Sequence, residues 1–171
     1  MRISISDKSS NAHELTGFFV RNLTPSYISH SELQSFRAVR PGVWADNIES
    51  VVHAEIRGRL RAPLTGFPTD ADWKGVIEAR DDGRLTSLAL VTLSRRAVVP
   101  FAIIEDIVVD SERRDNGIGQ AMVNWIVAEL RKAAIRRVFL ESGETNTAAH
   151  HFFEHLNFRQ ISIVMMQDLD P

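Results

Sequence analysis

The sequence predicts an α/β (α+β) fold: a mixed, mostly antiparallel twisted sheet with flanking helices. Three observations lead there. Two strand-like runs, Trp73–Ala79 and Leu85–Leu93, flank the segment Arg80-Asp81-Asp82-Gly83-Arg84. Its Asp-Gly pair supplies the positive φ angles that a hairpin turn needs. A third apolar run, Phe101–Val109, leads through a polar loop into a helical segment, Gly117–Lys132, and then a short strand, Val138–Glu141. Strand, helix and strand in that order predict a parallel crossover.

The helix 117–132 is the clearest single element. Ile118, Met122, Trp125, Ile126 and Leu130 fall on one stripe at three- and four-residue spacing, as an amphipathic helix requires. Arg131 and Lys132 close it, where cations suit the negative end of the helix dipole. A second amphipathic helix is expected over Asn146–Leu156, and a final strand over Ile161–Met166. The first 70 residues are patterned more weakly. Helices are expected near Ala12–Arg21, Ser31–Arg37 and Ala45–Arg61, and Pro25, Pro41, Pro63 and Pro68 punctuate them. The stripe of the third helix, Ile48, Val51, Val52, Ile56 and Leu60, is interrupted by Glu55.

The 171 residues fit one domain, and 44% of them are hydrophobic, which is enough for a core without staples. There is no cysteine, which removes disulfides, cysteine-ligated metals and a cysteine nucleophile from consideration. A net charge of -2, from 20 basic and 22 acidic residues, gives no bulk attraction to nucleic acid. No apolar run approaches the roughly 18 residues of a membrane span, and Met1–Ser6 lacks the apolar stretch of a signal peptide. A cytoplasmic protein without nucleic-acid or membrane partners is expected.

The segment Arg114-Asp115-Asn116-Gly117-Ile118-Gly119 lies between the third strand and the strong helix. A helix N-terminus presents unpaired N–H groups and partial positive charge to anions. Glycines at 117 and 119 remove the Cβ atoms that would hold a phosphate away, and Arg114 adds a fixed charge. The spacing lacks the third glycine of a dinucleotide fingerprint and the Lys-Ser/Thr of a P-loop, so NAD and ATP are disfavoured.

With the apolar strand before it and the amphipathic helix after it, this Arg-x-x-Gly-x-Gly loop resembles the GCN5-related N-acetyltransferase (GNAT) superfamily. Asn146-Thr-Ala-Ala149-His-His-Phe152-Phe153-Glu154-His155-Leu156-Asn157-Phe158 resembles the family's second motif. The resemblance implies the acyl-CoA N-acyltransferase fold. It also implies acetyl-CoA as co-substrate, and transfer of its acetyl group to a primary amine of a small molecule or peptide by direct attack in a ternary complex. The pyrophosphate is expected on the loop Arg114, Asp115, Asn116, Gly117, Ile118 and Gly119, with Gln120 beside it. The pantetheine arm is expected along Ile107, Val108 and Val109, with Asn146 hydrogen-bonded to it and Phe153 packed beside it. Residues 73–169 then form the cofactor-binding core, and residues 1–70 a variable acceptor-side region with Trp44, Trp73 and Arg57–Arg61 available. A homodimer is compatible with this reading.

Acetyl transfer needs a neutral amine, whereas a lysine-like amine with pKa ~10.4 is mostly protonated at neutral pH. Glu105 is the candidate general base, because some members of the superfamily carry a catalytic glutamate at this strand position. Asp106, its neighbour, should point to the opposite sheet face. The family's tyrosine, proposed as general acid, is replaced by Phe153, which cannot donate a proton. Loss of chemistry there would leave a non-catalytic acyl-CoA-binding sensor, the alternative reading. Tyr27 is the only tyrosine. His151-Phe152-Phe153-Glu154-His155 matches a zinc-peptidase pattern, but the acetyltransferase helix explains the same residues and no metal is expected. His150 lies on the helix side of Asn146 and Phe153, which would suit proton transfer.

Overall fold

In the computed structural model, which describes residues 1–169, a five-stranded sheet runs in the order β1-β4-β5-β6-β7. Strand β1 (Arg2–Ile5) pairs antiparallel with β4 (Trp73–Asp81). Strand β4 pairs antiparallel with β5 (Arg84–Ser94), and β5 with β6 (Phe101–Val109). Only the last pair, β6 with β7 (Arg137–Leu140), is parallel, because helix α4 (Ile118–Lys132) returns the chain between them. The β4–β5 turn contains Asp82 at φ 48° and Gly83 at φ 82°, the positive angles that a tight hairpin demands.

Two cores flank this sheet. On one face α4 inserts Met122, Ile126 and Leu130 against Ala89, Val91, Leu93, Ala102 and Ile104. On the other, α1 (Ala12–Arg21) and α3 (Ile48–Arg59) pack Leu15, Phe18, Phe19, Val52 and Ile56 against Val76, Leu88, Leu90 and Val108. Strand β5 is therefore covered on both sides, and Leu85–Val91 are all buried. That burial explains a near-continuous apolar run in place of alternation.

The structure departs from expectation in several places. The segment expected as helix Ser31–Arg37 is one turn only, α2 (His30–Leu33). Its side-chain capping box, Ser29 with Glu32, fixes the start, and the chain then turns so that Arg37 is buried. Helix α3 is shorter at both ends than Ala45–Arg61. Arg2–Ile5 adds an edge strand that was not expected, and β2 (Ala38–Arg40) pairs with β3 (Val43–Trp44) around Gly42 at φ 77°. The final strand expected over Ile161–Met166 is absent, since this stretch has no regular partner and its large apolar side chains are exposed.

One irregularity in β6 governs the site. Leu90 faces Asp106 while the next residue, Val91, faces Ile104. Glu105 is thus the extra residue of a β-bulge, which shifts the alternation of faces by one. Ala102 and Ile104 face α4, whereas Val108 faces α1 and α3.

Candidate functional site

Strands β6 and β7 are paired only from Phe101–Ile104 to Arg137–Leu140. Beyond that point they separate, and the β7-side edge of residues 105–109 has no strand neighbour. A cleft of about 450 Å³ opens there. Its walls are Ile104–Val109 on one side and Leu140–Ser142 on the other. Its ends are closed by Asn22–Ser29, the start of α4, and helix α5 (Thr147–His155) with Asn146. Gly143 lets the chain after β7 lie against the Asn22–Ser29 end, because a Cβ there would overlap the backbone carbonyls of Ser26 and Ile28.

At the α4 end the loop is shaped by backbone conformation. Asp110 accepts the N–H of Glu112 and starts a 3-10 turn, Ser111–Arg113. Asp115 (φ 64°) and Gly117 (φ 73°) then take left-handed angles. Gly117 is the N-cap of α4 and has no side chain to cap it, so the first-turn N–H groups remain available to an anion. The two glycines serve different ends. Gly117 provides the φ angle, with open space where its Cβ would be. At Gly119 a Cβ would lie 3.3 Å from the Phe152 ring and 3.4 Å from Val109, so glycine permits close packing of β6, α4 and α5.

Of the expected cofactor residues, Ile107, Val108, Val109, Arg114, Asp115, Gly117, Ile118, Gly119, Gln120, Asn146 and Phe153 line one cleft. Asn116 does not. Its side chain donates to the carbonyls of Arg113 and Arg114 and shapes the loop from outside. Arg114 donates to the Asn22 carbonyl at 3.2 Å, while Arg113 is paired with Asp81 at 3.0 Å. Asn146 precedes α5 without making a side-chain cap, so its amide is not used by the helix. Phe153 is buried between Phe152 and Phe158. His150 is not among the lining residues. His151 and His155 are exposed, and the His155 ring contacts the His151 carbonyl of its own helix.

At the other end the working groups are side chains. The bulge corrects the expectation that Glu105 and Asp106 point to opposite faces: both meet one charged network on the α3 side. Asp106 is buried and accepts two bonds from Arg37, each 2.9 Å. Arg37 also reaches Glu55 at 2.5 Å, Glu55 accepts from Arg59 at 2.7 Å, and Arg59 donates to Glu105. The Thr92 hydroxyl donates to the second oxygen of Glu105 at 2.7 Å. The polar interruption at Glu55 in the α3 stripe is thus the centre of a buried ion network.

Tyr27 completes this end. It stands in a 3-10 turn, Pro25–Tyr27, and reaches into the cleft. Its hydroxyl donates to Asp106 at 2.9 Å and accepts the Ile107 N–H at 3.1 Å. Burial, and then the negative charge of Asp106, push the Tyr27 hydroxyl well above the usual phenol value. Burial likewise pushes the Asp106 carboxyl up, against the pull of Arg37. Burial would raise Glu55 too, but Arg37 and Arg59 outweigh it and hold Glu55 below the ordinary carboxylate value. Sequence reasoning missed Tyr27, Arg37 and Thr92. Only the rarity of tyrosine and the charge inside the α3 stripe pointed toward this region.

Known proteins share the family and the fold of this chain. A profile described as the acetyltransferase (GNAT) family matches residues 44–158. A ribosomal protein bS18-alanine N-acetyltransferase of Escherichia coli K12 is 27% identical over 82 residues, which is 48% of this chain and 53% of that protein. The chain thus spans about half the length of the curated relatives it matches. The BH1408 protein of Bacillus halodurans, in a tetramutant form, shares the fold at TM-score 0.73 and 15% identity, over 99% of this chain and 100% of that one. Glucosamine-6-phosphate N-acetyltransferase of Arabidopsis thaliana gives 0.60 at 17% identity, covering 99% and 98%. The aminoglycoside N-acetyltransferase AAC(6')-Iy, solved in complex with CoA, gives 0.64 at 15% identity, covering 98% and 93%. No helix among the described residues is long and apolar enough to cross a membrane. A family profile over residues 44–158, on a sheet that splays beside a glycine-shaped helix start, shows that this chain belongs to the acetyltransferase (GNAT) family.

Proposed function

We propose that the protein is an acetyl-CoA-dependent N-acetyltransferase acting on a primary amine of a small molecule or peptide. The observation that carries this reading is the continuity of one cleft from the uncapped start of α4, along the free edge of β6, to Glu105 and Tyr27. The N–H groups of Ile118, Gly119 and Gln120, with Arg114, suit a pyrophosphate. The edge at Ile107–Val109, which has no strand neighbour and gives the Ile107 N–H to Tyr27, suits an extended, amide-bearing arm that adds to a sheet as a strand does. Asn146 and the otherwise unpartnered buried hydroxyl of Ser142 offer polar contacts beside it. Residues 1–70 supply much of the acceptor side, and 73–169 the cofactor-binding core.

Acetyl-CoA supplies the acyl group as a thioester; the chain supplies position and proton transfer. Glu105 faces the cleft with one bond from Arg59 and one from Thr92. A carboxylate has about four acceptor positions, so lone pairs remain to take the proton of the incoming amine. Tyr27 does not replace the missing acid at Phe153. Its hydroxyl proton is engaged by Asp106 and its oxygen accepts the Ile107 N–H, so in this reading the thiolate, whose thiol titrates near ~8.5, leaves unaided. Tyr27 instead fixes Asp106 and the Ile107 N–H as a positioning residue.

The test is thiol release from acetyl-CoA against polyamines, aminosugars, amino acids, aminoglycosides and peptide N-termini. The reading expects amine-dependent release with at least one class. Tight acetyl-CoA binding with no release from any amine would favour the sensor reading prompted by Phe153. No binding at all would overturn both.

A further inference from the structure

Glu105 and Asp106 are adjacent on β6, yet two arginines hold them in different ways. Arg37 grips Asp106 with both prongs of its guanidinium, Nη1 to Oδ1 and Nη2 to Oδ2, each at 2.9 Å. That is the fork geometry that fixes a carboxylate. Arg59 brings only Nη2 to Glu105, and the same nitrogen donates to Glu55 Oε1 at 2.7 Å. Its Nη1 is buried without a partner. One carboxylate is thus clamped at both oxygens, while the other is held at one of them by a donor that it shares.

The sharing matters when Glu105 takes a proton. The Arg59 side chain is only 8% exposed. Were Glu105 its sole counter-charge, a proton moving from the acceptor nitrogen to a Glu105 oxygen would leave a buried guanidinium with no anion beside it. An unpaired buried charge is costly, so that transfer would be opposed. Glu55 removes the obstacle, because it already touches Arg59. Burial acts to raise Glu55, but Arg37 and Arg59 hold it below the ordinary carboxylate value, so it stays ionised when Glu105 becomes neutral. Arg37 does not depend on Glu55 in turn, since Asp106 is its partner at 2.9 Å and Glu32 lies 3.5 Å away. Neither Glu55 nor Arg59 is among the residues that line the cleft, so each acts through Glu105.

We propose that Arg59 and Glu55 are positioning residues for Glu105: Arg59 holds its carboxylate in place and charged, and Glu55, by sharing Arg59, frees it to accept a proton. This rests on the reading of Glu105 as the proton acceptor. The other titratable groups on this side are Asp106 with Tyr27 and Arg37, Glu32 behind Arg37, Glu141 on the opposite wall of the cleft, and Lys74, which pairs across β4 and β5 with Thr92. Among the described residues only Arg59 and Thr92 hydrogen-bond to the Glu105 carboxylate. Thr92 is neutral, so Arg59 is the charge in direct contact with it and Glu55 is the charge in direct contact with Arg59.

The test follows the Glu105 carboxyl by NMR titration of the full-length protein, labelled with carbon-13 at its glutamate carboxyls. The Glu105 signal is the one missing from Glu105→Gln. Arg59→Gln should raise the proton affinity of Glu105 about tenfold, and Glu55→Gln should lower it about tenfold. A loss of packing gives no reason for opposite signs. If either variant does not fold, Arg59→Met or Glu55→Met, which keep the length of the side chain, takes its place. Movement in the same direction in both variants, no movement in either one, or the reverse pair of signs would overturn the inference. Thiol release separates it from the function on which it rests. With an amine that wild type acetylates, Glu55→Gln should lower kcat severalfold and leave KM for acetyl-CoA unchanged; an unchanged kcat would overturn the role given to Glu55. Opposed titration shifts without amine-dependent release from any acceptor would uphold the balance between Arg59 and Glu55 and overturn Glu105 as the base.

Discussion

The two ends of the cleft are made of different material. At the Gly117 end the working groups are backbone atoms within one short loop, set by left-handed angles at Asp115 and Gly117 and by close packing at Gly119. At the Glu105 end they are side chains gathered from distant parts of the chain. Tyr27 and Asp106 are 79 residues apart, Arg37 and Asp106 69, and Arg59 and Glu105 46. Backbone recognition of an anion tolerates side-chain change, while a buried ion network loses its balance when any member is removed. The first end therefore suits a constant cofactor, and the second suits a specific acceptor.

Removing one partner of the buried network should give the largest effect. Arg37→Ala leaves Asp106 buried without its two charge-assisted bonds, which should cost about 3–5 kcal/mol in chemical denaturation. A loss below about 1 kcal/mol would show that the Glu105 end does not depend on this network. Glu105→Gln should lower turnover by roughly 10²-fold or more, with acetyl-CoA affinity nearly unchanged. Unaltered turnover across pH 6–9 would remove Glu105 as the proton acceptor.

Tyr27→Phe deletes a hydroxyl that serves both Asp106 and the Ile107 N–H. The expected loss of stability is about 1–3 kcal/mol. Turnover should fall less than about tenfold, with an unchanged alkaline limb in the pH–rate profile. Disappearance of that limb would instead identify Tyr27 as the acid. The exposed pair Glu14–Arg80 lies outside both ends and sets the scale. Its hydrogen bonds to Arg80 hold Glu14 below the ordinary carboxylate value, against a smaller effect of burial. A depressed carboxylate stabilises the fold above its unfolded pKa, and that contribution is lost as pH falls through the folded value. Glu14→Gln should therefore remove only a few tenths of a kcal/mol at pH 7, and progressively less as the pH falls below the ordinary glutamate range.

The same contrast explains what the sequence could tell. The β4–β5 hairpin was legible from Asp82-Gly83, α4 from its stripe, and the anion loop from Arg114, Gly117 and Gly119, because each is encoded within a few residues. The Glu105–Asp106 geometry was not. Alternation places neighbours on opposite faces, and nothing in Ile103–Val109 announces a bulge. Tyr27, Arg37 and Thr92 were missed because their roles exist only across the folded sheet. The strand expected over Ile161–Met166 has the right composition, but among the described residues no strand lies beside it.

Calorimetric titration of acetyl-CoA into wild type and Gly117→Asp tests whether the Gly117 loop receives the anionic end of acetyl-CoA. The substitution puts a side chain at a φ of +73° and a negative charge at the helix start. Wild type should bind saturably, with at least a tenfold loss of affinity in a folded Gly117→Asp. Equal affinity in the two proteins, or no binding by folded wild type at millimolar acetyl-CoA, would contradict it.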